Sequence, residues 1–242
     1  MHQPVENLEK PRRFYKAAAV EPVEGAFQVR LDGRAPKSPG GRRLEAPTEA
    51  LAEQIAAEWR AQEEVIDLAT MPMTRLAYTA LDGVAATRDA TAQTLADYAG
   101  SDLVCYFADA PTALVERQEA GWSPMLEWAD TELGVTLGRV EGIIHRPQPS
   151  ESLARARALA LEADDFTLAG LAFAAALFGS AVLALAVARG RLSGEGAFAL
   201  SRLDEAYQED QWGVDEEAAQ RTAAMAVEAA MVERWFRALD AG

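Results

Sequence analysis

The 242-residue chain carries one cysteine, Cys105, and two histidines, His2 and His145. A single thiol excludes an internal disulfide and points to a reducing compartment. One Cys and two distant His also exclude the usual zinc ligand sets. Nucleophilic catalysis has little to work with: there is no Gly-x-Ser-x-Gly elbow. Cys105 lies in the apolar run Leu103-Val104-Cys105-Tyr106-Phe107, where a thiol is an inert core group. Gly40-Gly41 lacks the following Lys-Ser/Thr of a phosphate loop, and Gly194-Glu195-Gly196 has no strand pattern before it. The sequence therefore assigns no catalytic residue, no metal and no cofactor. Positive charge is scarce too. Twenty-three Lys and Arg face 38 acids, a formal net charge of −15, which argues against nucleic acid and against anionic membrane surfaces. Met1–Asn7 has no apolar h-region, so neither a secretory signal nor a transit peptide is expected, and a cytoplasmic location follows.

Half of the residues are apolar and a quarter charged, the composition of a globular chain with a sizeable core. Charge is unevenly placed. Residues 1–46 hold nine Lys or Arg against six acids, and residues 47–242 hold fourteen against thirty-two. Residues 14–46 read as short strands: Phe27, Val29 and Leu31 alternate with polar residues, and Asp32-Gly33 signals a hairpin turn. Ser38-Pro39-Gly40-Gly41 reads as a second turn. Thr48 is expected to cap a helix carrying Leu51, Ile55 and Trp59. Beyond Thr74 the pattern is helical. Ser123-Pro124 reads as a helix start with Trp122 as a staple before it, and Ser150 as the cap of the next helix. Met225, Ala229, Val232, Phe236 and Leu239 form a buried seam. Trp128 and Trp235 read as core, and Trp59 as packing the first helix against the helical part. The expected fold is α+β: a small N-terminal domain of short strands and a helix, residues 1–75, then a mostly helical bundle, residues 76–242.

Phe166–Ala188 is a 23-residue run without a charge, long enough to span a bilayer. Much of it is Ala, Gly, Ser and Thr, and acids precede it while arginines follow. A single central helix packed on all sides is expected, without stable membrane insertion.

The most informative segment is Ser201–Gly213. It reads as a helix with Leu200, Leu203 and Tyr207 toward a core, and with Glu205, Glu209, Trp212 and Glu216 recurring on another side. Like charges one turn apart repel by a few tenths of a kcal/mol. An acidic face with an indole embedded in it suits a basic, partly apolar partner. A solvated charged face is the plainer alternative, and paired carboxylates also leave open a hydrolase or lyase acting on an unidentified substrate.

Several segments together resemble one family. Ile55-Ala56-Ala57-Glu58-Trp59 with Thr70-Met71-Pro72-Met73-Thr74, Ser101-Asp102-Leu103-Val104-Cys105-Tyr106, Trp122–Ala129, and Ser201-Arg202-Leu203-Asp204-Glu205 through Trp212-Gly213 are similar to motifs of the ATP-synthase alpha-subunit assembly chaperones. The similarity runs over most of residues 10–215. It implies an ATP-independent chaperone, not an enzyme, that holds the alpha subunit of the catalytic head before it meets the beta subunit. It further implies a functional role for the acid after Ser-Arg-Leu, here Asp204, and a structural or binding role for Trp59. A reversible cap on an apolar subunit surface would take its apolar centre from Tyr207 and Trp212 and its charged surround from Asp204, Glu205 and Glu209. Asp204 stands where Glu is more usual in the family.

Overall fold

The computed structural model describes residues 10–142 and 146–241. Residues Met1–Asn7, His2 and His145 lie outside the described residues. The fold is α+β: a small N-terminal sheet followed by a helical bundle.

Strands β1 (Ala18–Val23) and β2 (Ala26–Leu31) form an antiparallel hairpin, and β3 (Glu45–Ala46) pairs with the start of β2. The reversal between β1 and β2 falls at Glu24-Gly25, where Gly25 adopts φ +73°, a conformation costly for a residue with a Cβ. Asp32-Gly33, expected as the hairpin turn, instead closes a tight Leu31–Arg34 bridge after β2. Its carboxylate has another task. Asp32 accepts the backbone N–H groups of Ala17 and Lys16, and those hydrogen bonds hold its carboxyl below the usual range.

Helix α1 (Glu49–Ala61) begins where the Thr48 hydroxyl accepts the Leu51 N–H, as expected for its cap. That hydroxyl also donates to the Ala238 carbonyl at the far end of the chain, 2.6 Å away. Leu51, Ile55 and Trp59 are all buried, toward the sheet. Trp59 meets the Tyr15 ring edge-on at 5.7 Å, and the Tyr15 hydroxyl donates to the Trp59 carbonyl. Its ring partner is thus an N-terminal residue.

Helix α2 (Pro72–Tyr78) starts at a proline whose missing N–H costs nothing there. The Glu58 carboxylate of α1 accepts the N–H groups of Met73 and Thr74 and the Thr74 hydroxyl, at 2.7–2.8 Å. Residues 75 and 76, where the sequence places the domain boundary, lie inside α2. A π-helical turn, Thr79–Val84, leads into α3 (Ala85–Gly100).

Helix α4 (Thr112–Leu133) is continuous through Pro124, so Ser123-Pro124 does not start a helix and Trp122 is no staple. The buried stripe Gln118, Trp122, Met125, Leu126 and Ala129 crosses the proline and holds both halves to the core. Strands β4 (Tyr106–Phe107) and β5 (Val140–Glu141) form a short parallel pair beside it. Helix α5 (Ser150–Glu162) takes Ser150 as its first residue, and no side chain caps it.

The charge-free run divides into two helices, α6 (Asp165–Phe178) and α7 (Ala181–Ala188), and is not one central helix. Gly179 adopts φ +64° and ends α6; the Ser180 hydroxyl then accepts the Leu183 N–H and starts α7. Among the described residues no helix is long and apolar enough to cross a membrane. Helices α8 (Gly194–Ser201), α9 (Leu203–Trp212) and α10 (Glu216–Asp240) complete the chain. Ala229, Val232 and Phe236 of the expected seam are buried, and Trp235 stacks on Phe166. Trp128 is half-buried at the edge of the core.

Candidate functional site

Ser201–Gly213 is not one helix. Arg202 leaves helical geometry and separates α8 from α9. Gly213, at φ +86°, ends α9, and Asp215 caps α10 by accepting the Ala218 N–H. Glu216 therefore belongs to α10, and the expected acidic stripe of one helix spans two. No residue of α9 is buried, although Leu200 and Leu203 pack against the core. Tyr207 is half-exposed rather than turned into the core.

Helix α9 rests on α4, and the contact is polar as well as apolar. Just before α9, at the end of α8, the Leu200 carbonyl accepts the Trp122 indole N–H at 2.9 Å. Gln118 is fully buried; its side-chain oxygen accepts the Ala108 N–H, and its amide nitrogen donates to Asp204 at 2.7 Å. Both amide ends are thereby used, so Gln118 fixes the Asp204 carboxylate. Burial pushes the Asp204 carboxyl up, the Gln118 hydrogen bond lowers it, and the neighbouring Glu205 raises it further.

The other acids meet arginines. Arg202 reaches Glu205 at 3.1 Å and Glu209 at 3.6 Å, and donates to the Thr222 hydroxyl of α10. Arg117 of α4 pairs with Asp210 at 2.7 Å and lies 5.1 Å over the Tyr207 ring. Trp212 ends the helix with 79% of its surface exposed, and Val214 beyond it is 58% exposed. The structure thus brings Asp204, Glu205, Tyr207 and Glu209 together beside Arg117 and Arg202, with Trp212 at the distal end. Trp59 stands apart from this group, on α1 against Tyr15.

Sequence reasoning missed Gln118, Arg117 and Arg202. Gln118 had a signal: it sits one turn before Trp122 on an otherwise apolar stripe. A polar residue there needs a partner. Arg202 had one too, its three-residue spacing to Glu205, whereas Arg117 had none because Asp210 lies 93 residues away. Among the described residues, no group of three or more His, Cys, Asp or Glu is placed to hold a metal ion.

Residues 12–130 match the model of the ATP12 chaperone protein family. The crystal structure of Atp12 from Paracoccus denitrificans is 44% identical, with a TM-score of 0.88, over 94% of this chain and 97% of that one. The chain belongs to the ATP12 chaperone family. This is the family of ATP-synthase assembly chaperones that its motifs resemble. An Asp-to-Lys variant of the same Paracoccus protein matches equally well. A structure from Agrobacterium tumefaciens, at 40% identity and TM-score 0.88, covers 95% of this chain and 86% of that one. The mitochondrial protein atp12 of Schizosaccharomyces pombe is 29% identical over 219 residues, 86% of this chain and 75% of that one. The ATP12 family match includes Trp59 and Gln118 and stops short of α9.

Proposed function

We propose that this chain is an ATP-independent chaperone that binds the alpha subunit of the ATP-synthase catalytic head and assists its assembly with the beta subunit. The partner-binding surface is α9: Asp204, Glu205, Tyr207 and Glu209, with Trp212 at its end. The observation that carries the reading is the exposure of Trp212, 79%, at the end of a helix whose first turn carries the Asp204 carboxylate that Gln118 holds in place. An exposed indole gains from burial in a partner, and Trp is a frequent hot-spot residue. The surrounding carboxylates favour specificity and encounter rate more than affinity. An orphan subunit presents apolar surface that would otherwise self-associate, and a reversible cap of this chemistry protects it.

A catalytic role is not part of the proposal. Glu205 and Glu209 both point to the Arg202 guanidinium, an arrangement of ion pairs and not of a general acid facing a general base. We place the protein in the cytoplasm, where head subunits are made in bacteria.

The test is charge reversal. Asp204→Lys with Glu205→Lys is expected to abolish co-purification of the alpha subunit while circular dichroism shows the helical fold retained, with a melting temperature lowered by the lost Gln118 hydrogen bond. Undiminished co-purification would overturn the site assignment. Trp212→Ala tests the apolar half: it is expected to weaken binding by about 2 kcal/mol without a change in stability, because the side chain buries little in the free protein.

A further inference from the structure

A second surface has the opposite chemistry. On the N-terminal part lies a groove of about 590 Å³ whose apolar lining includes Phe14, Pro36, Pro39, Trp59, Ile66 and Leu68. Phe14 is 72% exposed and Leu68 41%. One wall is the turn at 36–39, which belongs to the run Arg34–Arg43. In that run Arg34, Lys37, Arg42 and Arg43 all stand exposed, with no acid between them.

The run is held in shape by its backbone. Lys37 and Arg43 face each other in an antiparallel bridge, and the Ser38 N–H donates to the Arg42 carbonyl. Asp82 pins the turn, accepting the Ser38 hydroxyl at 2.6 Å and the Gly40 N–H at 2.7 Å. None of the four cations forms an ion pair among the described residues. Among the described residues the one acid lining the groove, Asp67, is already matched by Lys10 at 2.5 Å. Bringing like charges side by side costs free energy, and a protein of net charge −15 has acids to spare for neutralising them. Instead Lys37 lines the apolar trough without an ion-pair partner among the described residues, and Arg42 and Arg43, on the strand bridged to it, stand exposed on the same turn. The floor adds a third feature. Trp59 is 5% exposed, and its indole N–H has no acceptor among the described residues.

We propose that this groove binds an extended acidic segment of a client protein. An aliphatic or aromatic side chain of the segment fills the trough beside Phe14 and Leu68, and its carboxylates meet Lys37, Arg42 and Arg43. The groove rests on the chaperone reading only in assigning the segment to a client. With α9 it gives the protein two grips of opposite sign.

The experiment uses the full chain and a fluorescein-labelled peptide of sequence Glu-Asp-Leu-Phe-Glu-Asp-Leu, followed by anisotropy. Saturable binding is expected, weakened roughly tenfold or more by Lys37→Glu with Arg43→Glu, by high salt, and by exchange of the peptide's acids for lysines. Phe14→Ser is expected to weaken it without lowering the melting temperature. Asp204→Lys with Glu205→Lys is expected to leave peptide binding unchanged, so failure of the groove and failure of the α9 site are separately visible. The proposal is overturned if the peptide does not saturate the protein, or if the lysine peptide binds equally well. It is also overturned if the groove variants instead abolish binding to phosphatidylserine vesicles or a dimer seen in sedimentation.

Discussion

Two carboxylates, Glu58 half-buried and Asp102 wholly buried, show how single residues set local structure. Glu58 stands beside Trp59 in the sequence and supplies the cap that α2 lacks, accepting two backbone N–H groups and a hydroxyl. Glu58→Ala leaves those N–H groups unsatisfied and is expected to cost about 1–3 kcal/mol, read from chemical denaturation. Asp102 is wholly buried and accepts the Val182 N–H at 3.0 Å in the first turn of α7, as well as the Val104 N–H. Burial pushes its carboxyl up to about 6, against the hydrogen bonds from Ser180, Val182, Val104 and Ala181. The folded value lies above the unfolded one, so the folded state binds more protons between about pH 4 and 6. The contribution of Asp102 to stability is therefore complete below pH 4 and is lost as pH rises through 6, on the order of 2–3 kcal/mol. A carboxyl resonance titrating near 6 in the folded protein would confirm the sign, and one titrating near 4 would contradict it. Neither role could be read from the sequence. Both depend on which backbone amide arrives beside the carboxylate, 15 residues on for Met73 and 80 for Val182.

Helices were legible where their ends carried local chemistry. Thr48 before α1 and the α10 seam were readable because capping and period are properties of neighbouring residues. The break at Gly179-Ser180 was hidden inside a charge-free run, where apolar composition masked a glycine stop followed by a serine start. Pro124 misled in the other direction: tertiary packing of Trp122 and Met125 overrode a local start signal. The crossing of α8 with α10 is a contact no sequence pattern reveals. A Cβ at Gly194 would sit 2.0 Å from the Ala229 carbonyl oxygen, a backbone atom that cannot move aside. The Gly194 N–H also donates to Glu233. Gly194→Ala is expected to force these helices apart, destabilising the protein by about 3 kcal/mol and lowering its melting temperature by roughly 6–12 °C.

Across the whole molecule, charge is the property that composition announced most clearly, and its placement is what the structure adds. The α+β class and the concentration of acids around Trp212 could be read from the chain, though not the helix breaks on either side of α9. The opposing groove could not, because Phe14, Pro36 and Leu68 are far apart in sequence and meet only through the fold. Association with a basic client surface is expected to slow as ionic strength rises, since long-range steering is screened within about 8–10 Å; stopped-flow rates over a salt series provide the check. Rates indifferent to salt would remove electrostatic steering from the account. One further consequence comes from residues 202–228, none of which is buried. With so little apolar anchorage, α9 and the first half of α10 can fray and re-form while the bundle beneath stays intact. Their amide protons are expected to exchange with deuterium well before those of α6 and α7; under the proposed function, that looseness would let the surface release its client without a nucleotide.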